Sequence, residues 1–294
     1  MKTLYIMKST NSNGSPHFSK YLAPYVENIF TDVDLHDIDV QGKYVADGAN
    51  DYDLIIQQDV GGHNIIDLSD VTKPYKVLYA TDPHGKFDYL NKFAPQYSYI
   101  FSAQQSYEDK FNISKDNQSW LPVAICPKQH YPIKTSNEYN VDIAFIGRCG
   151  QGTARNFVLA YLQYVCNKHS IKHGLFESWG TDYLELMART KVSFNFHAMD
   201  DLNFRTFESL AMRKLLFQDW NMNGSAELFL DDIHLVYYTL QSLESKLLYY
   251  VNNFNSPEVQ QIIANGHTEV LRFHTWDKRV AKMYHIISKK MDGV

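Results

Sequence analysis

The chain has 294 residues, 45% hydrophobic and 21% charged, with a formal net charge of −5. This is the balance of an ordinary globular protein; it argues against a globally cationic nucleic-acid binder, and a length above ~250 residues predicts two cores rather than one. No apolar run reaches the ~18 residues of a membrane span. The opening "MKTLYIMKSTNSNG" has too short an apolar core for a signal peptide. Three cysteines (Cys126, Cys149, Cys166) without CxxC spacing fit a reduced, cytoplasmic compartment with neither a disulfide framework nor a zinc site.

In chain order, "TLYIM" (3–7) reads as a strand, and Ser15 with Pro16 gives the cap and first-turn signal of a helix running to Phe30. "YDLIIQQD" (52–59), "YKVLYATD" (75–82) and "YSYIFSA" (97–103) are short apolar runs closed by turns or helices, the pattern of a parallel sheet covered on both faces. "SWLPVAICP" (119–127) predicts a last strand leading out of the domain, and the aperiodic "KQHYPIKTSNEYN" (128–140) a linker. A second series follows, with strands at 141–147, 173–178, 191–197, 214–220 and 233–239, and helices at 154–170 and 181–190 and from Asn203 onward. The end is helical, with Trp276, Val280, Met283 and Ile287 on one stripe. The fold class is therefore α/β: two doubly wound, Rossmann-like domains facing a cleft. Their expected limits are 1–135 and 136–275, with a terminal helix at 276–294.

Charge is distributed unevenly. Residues 1–140 hold 12 Lys and no Arg, whereas 141–294 hold 9 Lys and all 7 Arg. Arginine is the preferred bidentate partner of phosphate, so the second half is the place to look for an anion site. In "FIGRCGQGTARN" (145–156), Gly147, Gly150 and Gly152 lie between a strand and a helix, flanked by Arg148 and Arg155. Such a turn lets backbone approach phosphate, although the spacing is neither GxGxxG nor a Walker loop. In "FESWG" (176–180), Trp179 is either a core aromatic or a cover for a planar base. In "FNFHAMDDLNFRTFE" (194–208), Asn195 and His197 end a strand, while Arg205, Thr206 and Glu208 open a helix capped by Asn203. A cation in a first helical turn opposes the helix dipole. Arg205 and Glu208 could form an i,i+3 pair worth ~0.2–0.5 kcal/mol. A bound diphosphate would remove the conflict and leave Glu208 free to accept from ribose hydroxyls.

These segments, with "NFRTFESLAMRKLLFQDW", "AELFLDD" and "EVLRFHTWDKRVAKMYHII", resemble the nucleotide-binding half of GT-B glycosyltransferases, most closely the CgeB-like (spore maturation protein) group. The resemblance covers roughly 140–290; the first half contributes only "ATDPHG" and its general layout. It implies a metal-independent enzyme that uses a UDP-sugar donor and no cofactor. Arg205 would hold the diphosphate, Glu208 the ribose and the loop around Phe176 and Trp179 the base, and the last helix would cross back onto the first domain. The donor set then comprises Gly14, Gly147, Arg148, Arg155, Phe176, Trp179, Asn195, His197, Asp200, Arg205, Thr206 and Glu208. Many retaining relatives carry Glu-x7-Glu; here Asp200 stands upstream of Glu208, a departure that leaves retention or inversion open.

A general base is expected from the first domain. The candidates at strand ends are Asp82, then Asp59, with His84 and His17 nearby. Each carboxylate has an alternative reading as a helix cap or turn residue. Richness in Tyr, Asn and Lys suggests an AT-rich genome, as in phages, where small GT-B enzymes glycosylate 5-hydroxymethylcytosine in DNA with glucosyl or arabinosyl donors. Lys110, Lys115, Lys128 and Lys134, with Arg272, Lys278, Arg279, Lys282, Lys289 and Lys290, offer a basic strip for such an acceptor, or are simply solvated surface. Cell-envelope or spore glycan is the alternative acceptor. A UDP-sugar epimerase and a non-catalytic nucleotide-sugar binder are the alternative functions.

Overall fold

The structure is a computed structural model that describes residues 1–11, 17–43, 45, 48–133, 140–149, 153–221 and 223–293. The chain divides into two compact units, Met1–Ala124 with Trp276–Val294, and Ile125–Thr275.

The first unit is built on strands β1 (Lys2–Met7), β2 (Asp32–Asp37), β3 (Leu54–Gln58), β4 (Tyr75–Ala80), β5 (Tyr99–Ser102) and β6 (Gln118–Trp120). They form one sheet in the order β2-β1-β3-β4-β5-β6, every pair parallel. Helices α1 (Ser19–Phe30), α2 (Ile38–Gln41) and α3 (Pro83–Phe93) accompany it. Alternation along the strands sends Leu4, Ile6, Ile55, Leu78 and Ile100 into one core with Leu90 of α3. β2 went unread in the sequence because its residues, apart from His36, are exposed or half-buried, so no apolar run marks it. β6 is shorter than the strand expected at 119–127. Pro122 lacks the N–H that a ladder requires, and pairing stops at Trp120. Ser15 and Pro16, where α1 was expected to start, fall outside the described residues, and α1 begins later, at Ser19 after Phe18.

The second unit carries β7 (Val141–Ile146), α4 (Thr153–Lys168), β8 (His173–Phe176), α5 (Gly180–Ala188), β9 (Thr190–Asn195), α6 (Phe204–Ala211), β10 (Leu215–Asp219), α7 (Ser225–Leu228), β11 (Val236–Tyr238), α8 (Leu240–Asn252) and α9 (Pro257–Phe273). Its sheet runs β11-β10-β9-β7-β8, again wholly parallel. Ile143, Phe145, Val192, Phe194, Leu215 and Phe217 form the core beneath α4, α8 and α9. The last helix, α10 (Trp276–Met291), belongs to the first unit, where Trp276, Val280, Met283 and Ile287 are buried. Trp276 lies edge-on to Tyr79 at 6.4 Å, and Tyr284 meets Phe30 at 5.1 Å. Among the described residues no helix is long and apolar enough to cross a membrane, and no group of three His, Cys, Asp or Glu could hold a metal ion.

Each sheet reverses its strand order once. In the first unit the reversal lies between β1 and β3, in the second between β7 and β9. In doubly wound sheets the crevice at the strand C-terminal ends of such a point is where ligands bind.

Candidate active site

Arg205 sits at the reversal point of the second sheet. From the first turn of α6 its side chain reaches back to both flanking strands. Nε donates to the Ile146 carbonyl (2.7 Å) and Nη1 to Asn195 Oδ1 (3.0 Å), and the guanidinium lies 4.6 Å from the centre of the Phe145 ring. These acceptors answer part of the conflict between a cation and a helix N-terminus. A guanidinium has five N–H donors. Two are used among the described residues, which leaves Nη2 and one Nη1 hydrogen. Gly147 makes this approach possible, because a Cβ there would overlap Nη2.

Arg155, from the first turn of α4, places its guanidinium 5.7 Å from the same Phe145 ring and donates from Nη1 to the Arg148 carbonyl (3.2 Å). Its Nε is buried without a partner among the described residues. Burial and the adjacent Arg205 cation depress its pKa. Among the described residues no carboxylate lies within 4.0 Å of either guanidinium. Two neighbouring cations without a close counter-ion among the described residues make this a candidate anion site.

A polar scaffold fixes the site. His197 Nδ1 donates to Asp219 (2.7 Å), which leaves Nε2 as the acceptor for the Asn195 amide (3.2 Å). Asn195 also donates to Asn203 Oδ1 (3.1 Å), and Tyr238 donates to the Asn195 carbonyl (2.9 Å). Thr206 donates inward to Gln218 (2.9 Å). Asn203 therefore occupies the N-cap position of α6 without capping it. Its amide is spent on Asn195. Between β9 and α6, Met199 (φ 55°) and Asp200 (φ 61°) are both left-handed, and the Asp200 carbonyl accepts from Asn223 Nδ2 (2.5 Å). Consecutive non-glycine residues in this region cost on the order of 1–3 kcal/mol each and concentrate at functional sites.

One turn along α6, Glu208 accepts from Tyr183 (3.0 Å) and faces His130 Nε2 (3.4 Å). Desolvation pushes the carboxyl upward, but His130, Arg205 and Tyr183 outweigh it, and its pKa falls below the ordinary value. Beside β8 and α5, an open cavity of about 460 Å³ is lined by Leu175, Phe176, Glu177, Ser178, Asp182, Glu185, Leu186 and Arg189. Phe176 folds back over Gly174, where a Cβ would strike its ring.

In the first unit the reversal point carries different chemistry. Asp59, which ends β3, is 1% exposed. It is paired with Lys86 and accepts from the N–H groups of Gly61 (3.3 Å) and Asp82 (3.2 Å). Lys86 reaches it because α3 breaks there (φ −159°, ψ 34°), and the same ammonium donates to the Gly62 carbonyl (3.1 Å). Asp82 stands at the N-cap position of α3, yet its side chain caps nothing and is open to solvent. Desolvation raises both carboxyl pKa values, against the pull of Lys86. His17 is buried beside them. Its Nδ1 accepts from the Ser19 N–H (3.3 Å) and faces the Ser19 hydroxyl (2.6 Å). Desolvation first, then Lys8, lower its pKa to about 4, with Asp39 opposing and Lys86 adding.

Comparison with known proteins places this geometry. The glycosyl transferase-like family matches residues 154–285, the stretch that carries Arg155, Arg205 and Glu208. Residues 154–285 carry a glycosyl transferase-like domain. The fold agrees. A glycosyltransferase from Rickettsia africae superposes with a TM-score of 0.65 at 11% identity, over 99% of this chain and 98% of that one. Anabaena HepE, solved in complex with UDP and glucose, gives 0.69 at 11% identity over 98% and 100%. The sucrose-phosphate synthase of Thermosynechococcus elongatus gives 0.63 at 8% identity over the whole of both chains. At such identities these likenesses establish the architecture alone. No curated protein sequence matches the chain significantly.

In the second unit, Gly147, Arg155, Asn195 and Arg205 are brought together, with Glu208 one turn further along α6. His197 and Thr206 are buried behind them and act as scaffold, because their polar atoms point at Asp219, Asn195 and Gln218. Arg148 is exposed and enters through its carbonyl. Phe176 lines the cavity, but Trp179, 46% exposed at the N-cap of α5, does not. His84 is half-buried at the second position of α3. Gly14, Gly150, Gly152 and Lys134 lie outside the described residues.

The basic strip is thinned by partners within the chain. Arg279 is buried and donates to the Pro122 carbonyl (2.9 Å), and Lys282 donates to the Trp120 carbonyl (3.4 Å). Lys115 pairs with Asp109 (2.6 Å), Lys278 with Asp277 (3.5 Å), and Arg272 lies 4.8 Å from the centre of the Phe273 ring. Lys86, His130, Tyr183 and Asp219 were missed by sequence reasoning. Asp219 lies within the segment 203–220 but was not singled out there, and Lys86, His130 and Tyr183 lie in no local motif.

Proposed function

We propose that the enzyme transfers a sugar from a UDP-sugar to an acceptor hydroxyl. The second unit holds the donor: the diphosphate on Arg205 and Arg155, the ribose on Glu208, and the base in the cavity beside Phe176. The observation that carries this reading is the pair of guanidinium groups over Phe145, with N–H donors left over and no carboxylate close by. Their charge would offset that building on the departing diphosphate, the task a metal performs in other transferases. Anabaena HepE, whose fold this chain shares, has been solved with UDP-glucose, which supports a UDP-linked donor.

The first unit is assigned the acceptor and the base. Asp82 is the better base of the two carboxylates, because Asp59 is committed to Lys86 and to two backbone N–H groups. The base takes the acceptor proton as the hydroxyl attacks the anomeric carbon and UDP departs. The test is a matrix of UDP-sugars scored for UDP release, with glycan acceptors, with hydroxymethylated DNA and with no acceptor. Acceptor-dependent release with any donor bears the reading out. Conversion of the donor without acceptor would replace it with an epimerase, and UDP binding without turnover would replace it with a sensor.

A further inference from the structure

Glu208 does not face its site alone. Tyr183 donates to Oε2 at 3.0 Å, and His130 Nε2 faces Oε1 at 3.4 Å. An ionised carboxylate offers about four lone-pair positions, two on each oxygen. Tyr183 takes one on Oε2, the His130 ring lies against Oε1, and at least one on each remains. That is an acceptor pair for two adjacent hydroxyls, with the carboxylate plane fixed from both sides. We propose that His130 and Tyr183 are positioning residues that present Glu208 to a vicinal diol, and so make the site select ribonucleotides over 2′-deoxyribonucleotides. This rests on the reading that Glu208 holds the donor's ribose.

The setting of His130 suits the task. The segment is pinned where it enters the unit: the Ile125 N–H donates to the His274 carbonyl (3.1 Å) and Ile125 bridges Thr275. A turn then brings the His130 N–H to the Cys126 carbonyl (3.0 Å). Its Nδ1 is buried without a partner among the described residues, so the polar engagement of the ring is through Nε2 with Glu208. Tyr183 is buried in the core between α5 and the sheet, which fixes the direction of its hydroxyl. The lowered pKa of Glu208 keeps the carboxylate in the acceptor-only form that a diol requires.

The experiment measures Kd for UDP and for 2′-deoxy-UDP by calorimetry at fixed salt, on the whole chain. The wild type is expected to prefer UDP by at least ~10-fold, and Glu208→Gln to lose most of that preference. His130→Leu should bring the ratio close to one while affinity for 2′-deoxy-UDP holds. A merely structural role would weaken both ligands together. His130→Gln, whose amide can donate from near the Nε2 position, should restore most of the preference. If His130→Leu fails to fold, Tyr183→Phe removes one hydroxyl and tests the same clamp. A wild-type ratio in His130→Leu or Tyr183→Phe, beside its loss in Glu208→Gln, overturns the inference and leaves the Glu208 reading standing. A wild-type ratio in Glu208→Gln, or no preference in the wild type, overturns that reading and the inference with it.

Discussion

At the reversal point of the second sheet, between β7 and β9, stand two guanidinium groups held by a carbonyl, an amide and an aromatic face. At that of the first, between β1 and β3, stand a buried carboxylate with its lysine, an open carboxylate and a histidine whose pKa of about 4 keeps it uncharged at neutral pH. The backbone logic is the same in both units, and the chemistry is opposite. A parallel sheet that switches direction opens a crevice at its strand ends, and the few residues following those strands decide the charge it presents.

Substitutions can break this contrast, and the largest effect is expected in the first unit. Asp82→Asn should lower kcat by about 10²–10⁴-fold while UDP affinity stays unchanged. Asp59→Asn should instead destabilise the fold by about 3 kcal/mol, because Lys86 is left buried beside a neutral group. Initial rates and denaturant midpoints separate the two, and a larger loss of kcat in Asp59→Asn would reverse the assignment of the base.

In the second unit, Arg205→Ala should weaken UDP binding by roughly 10–100-fold, the value of charge-assisted hydrogen bonds, with little change in melting temperature. Gly147→Ala tests the same cation without touching it. The added methyl must displace the guanidinium, so UDP affinity should fall by about 10-fold. Unchanged calorimetric affinity in both would remove the anion site.

The smallest effect is confined to acid pH. His17 has a folded pKa of about 4, below its ordinary 6.5, so between these values the unfolded chain binds more protons. Stability therefore rises with pH across that window and is lost as pH falls through it, by at most ~3 kcal/mol. His17→Gln should flatten the pH dependence of the denaturation free energy between pH 6.5 and 4 and leave UDP affinity alone. An equally steep profile in the variant would mean that other groups carry the acid sensitivity.

Much of the proposed donor site was legible because it is local. Gly147, Arg155, Asn195, Arg205 and Glu208 all lie at the end of a strand or the start of a helix, and the conflict between Arg205 and its helix end is visible in one turn of sequence. The first-unit chemistry was legible only as a choice. Asp59 and Asp82 have the same strand-end signature, and the helix break at Lys86 separates them by giving one a counter-ion and leaving the other open. His130 was hidden in a segment without periodicity, where nothing local distinguishes a ring that meets Glu208 from one in solvent.

By itself, then, the sequence determined the alternation of strands and helices, the apolar faces and the types of charge at each strand end. Those follow from period, turn chemistry and residue type, which act over a few neighbouring positions. Only the tertiary structure decided that Asn203 gives its amide to Asn195 instead of capping α6, that His197 and Thr206 turn inward, and that Tyr183 and His130 grip Glu208. Each of these is a competition between a local partner and a distant one, and packing settles it by bringing the distant one within hydrogen-bond reach.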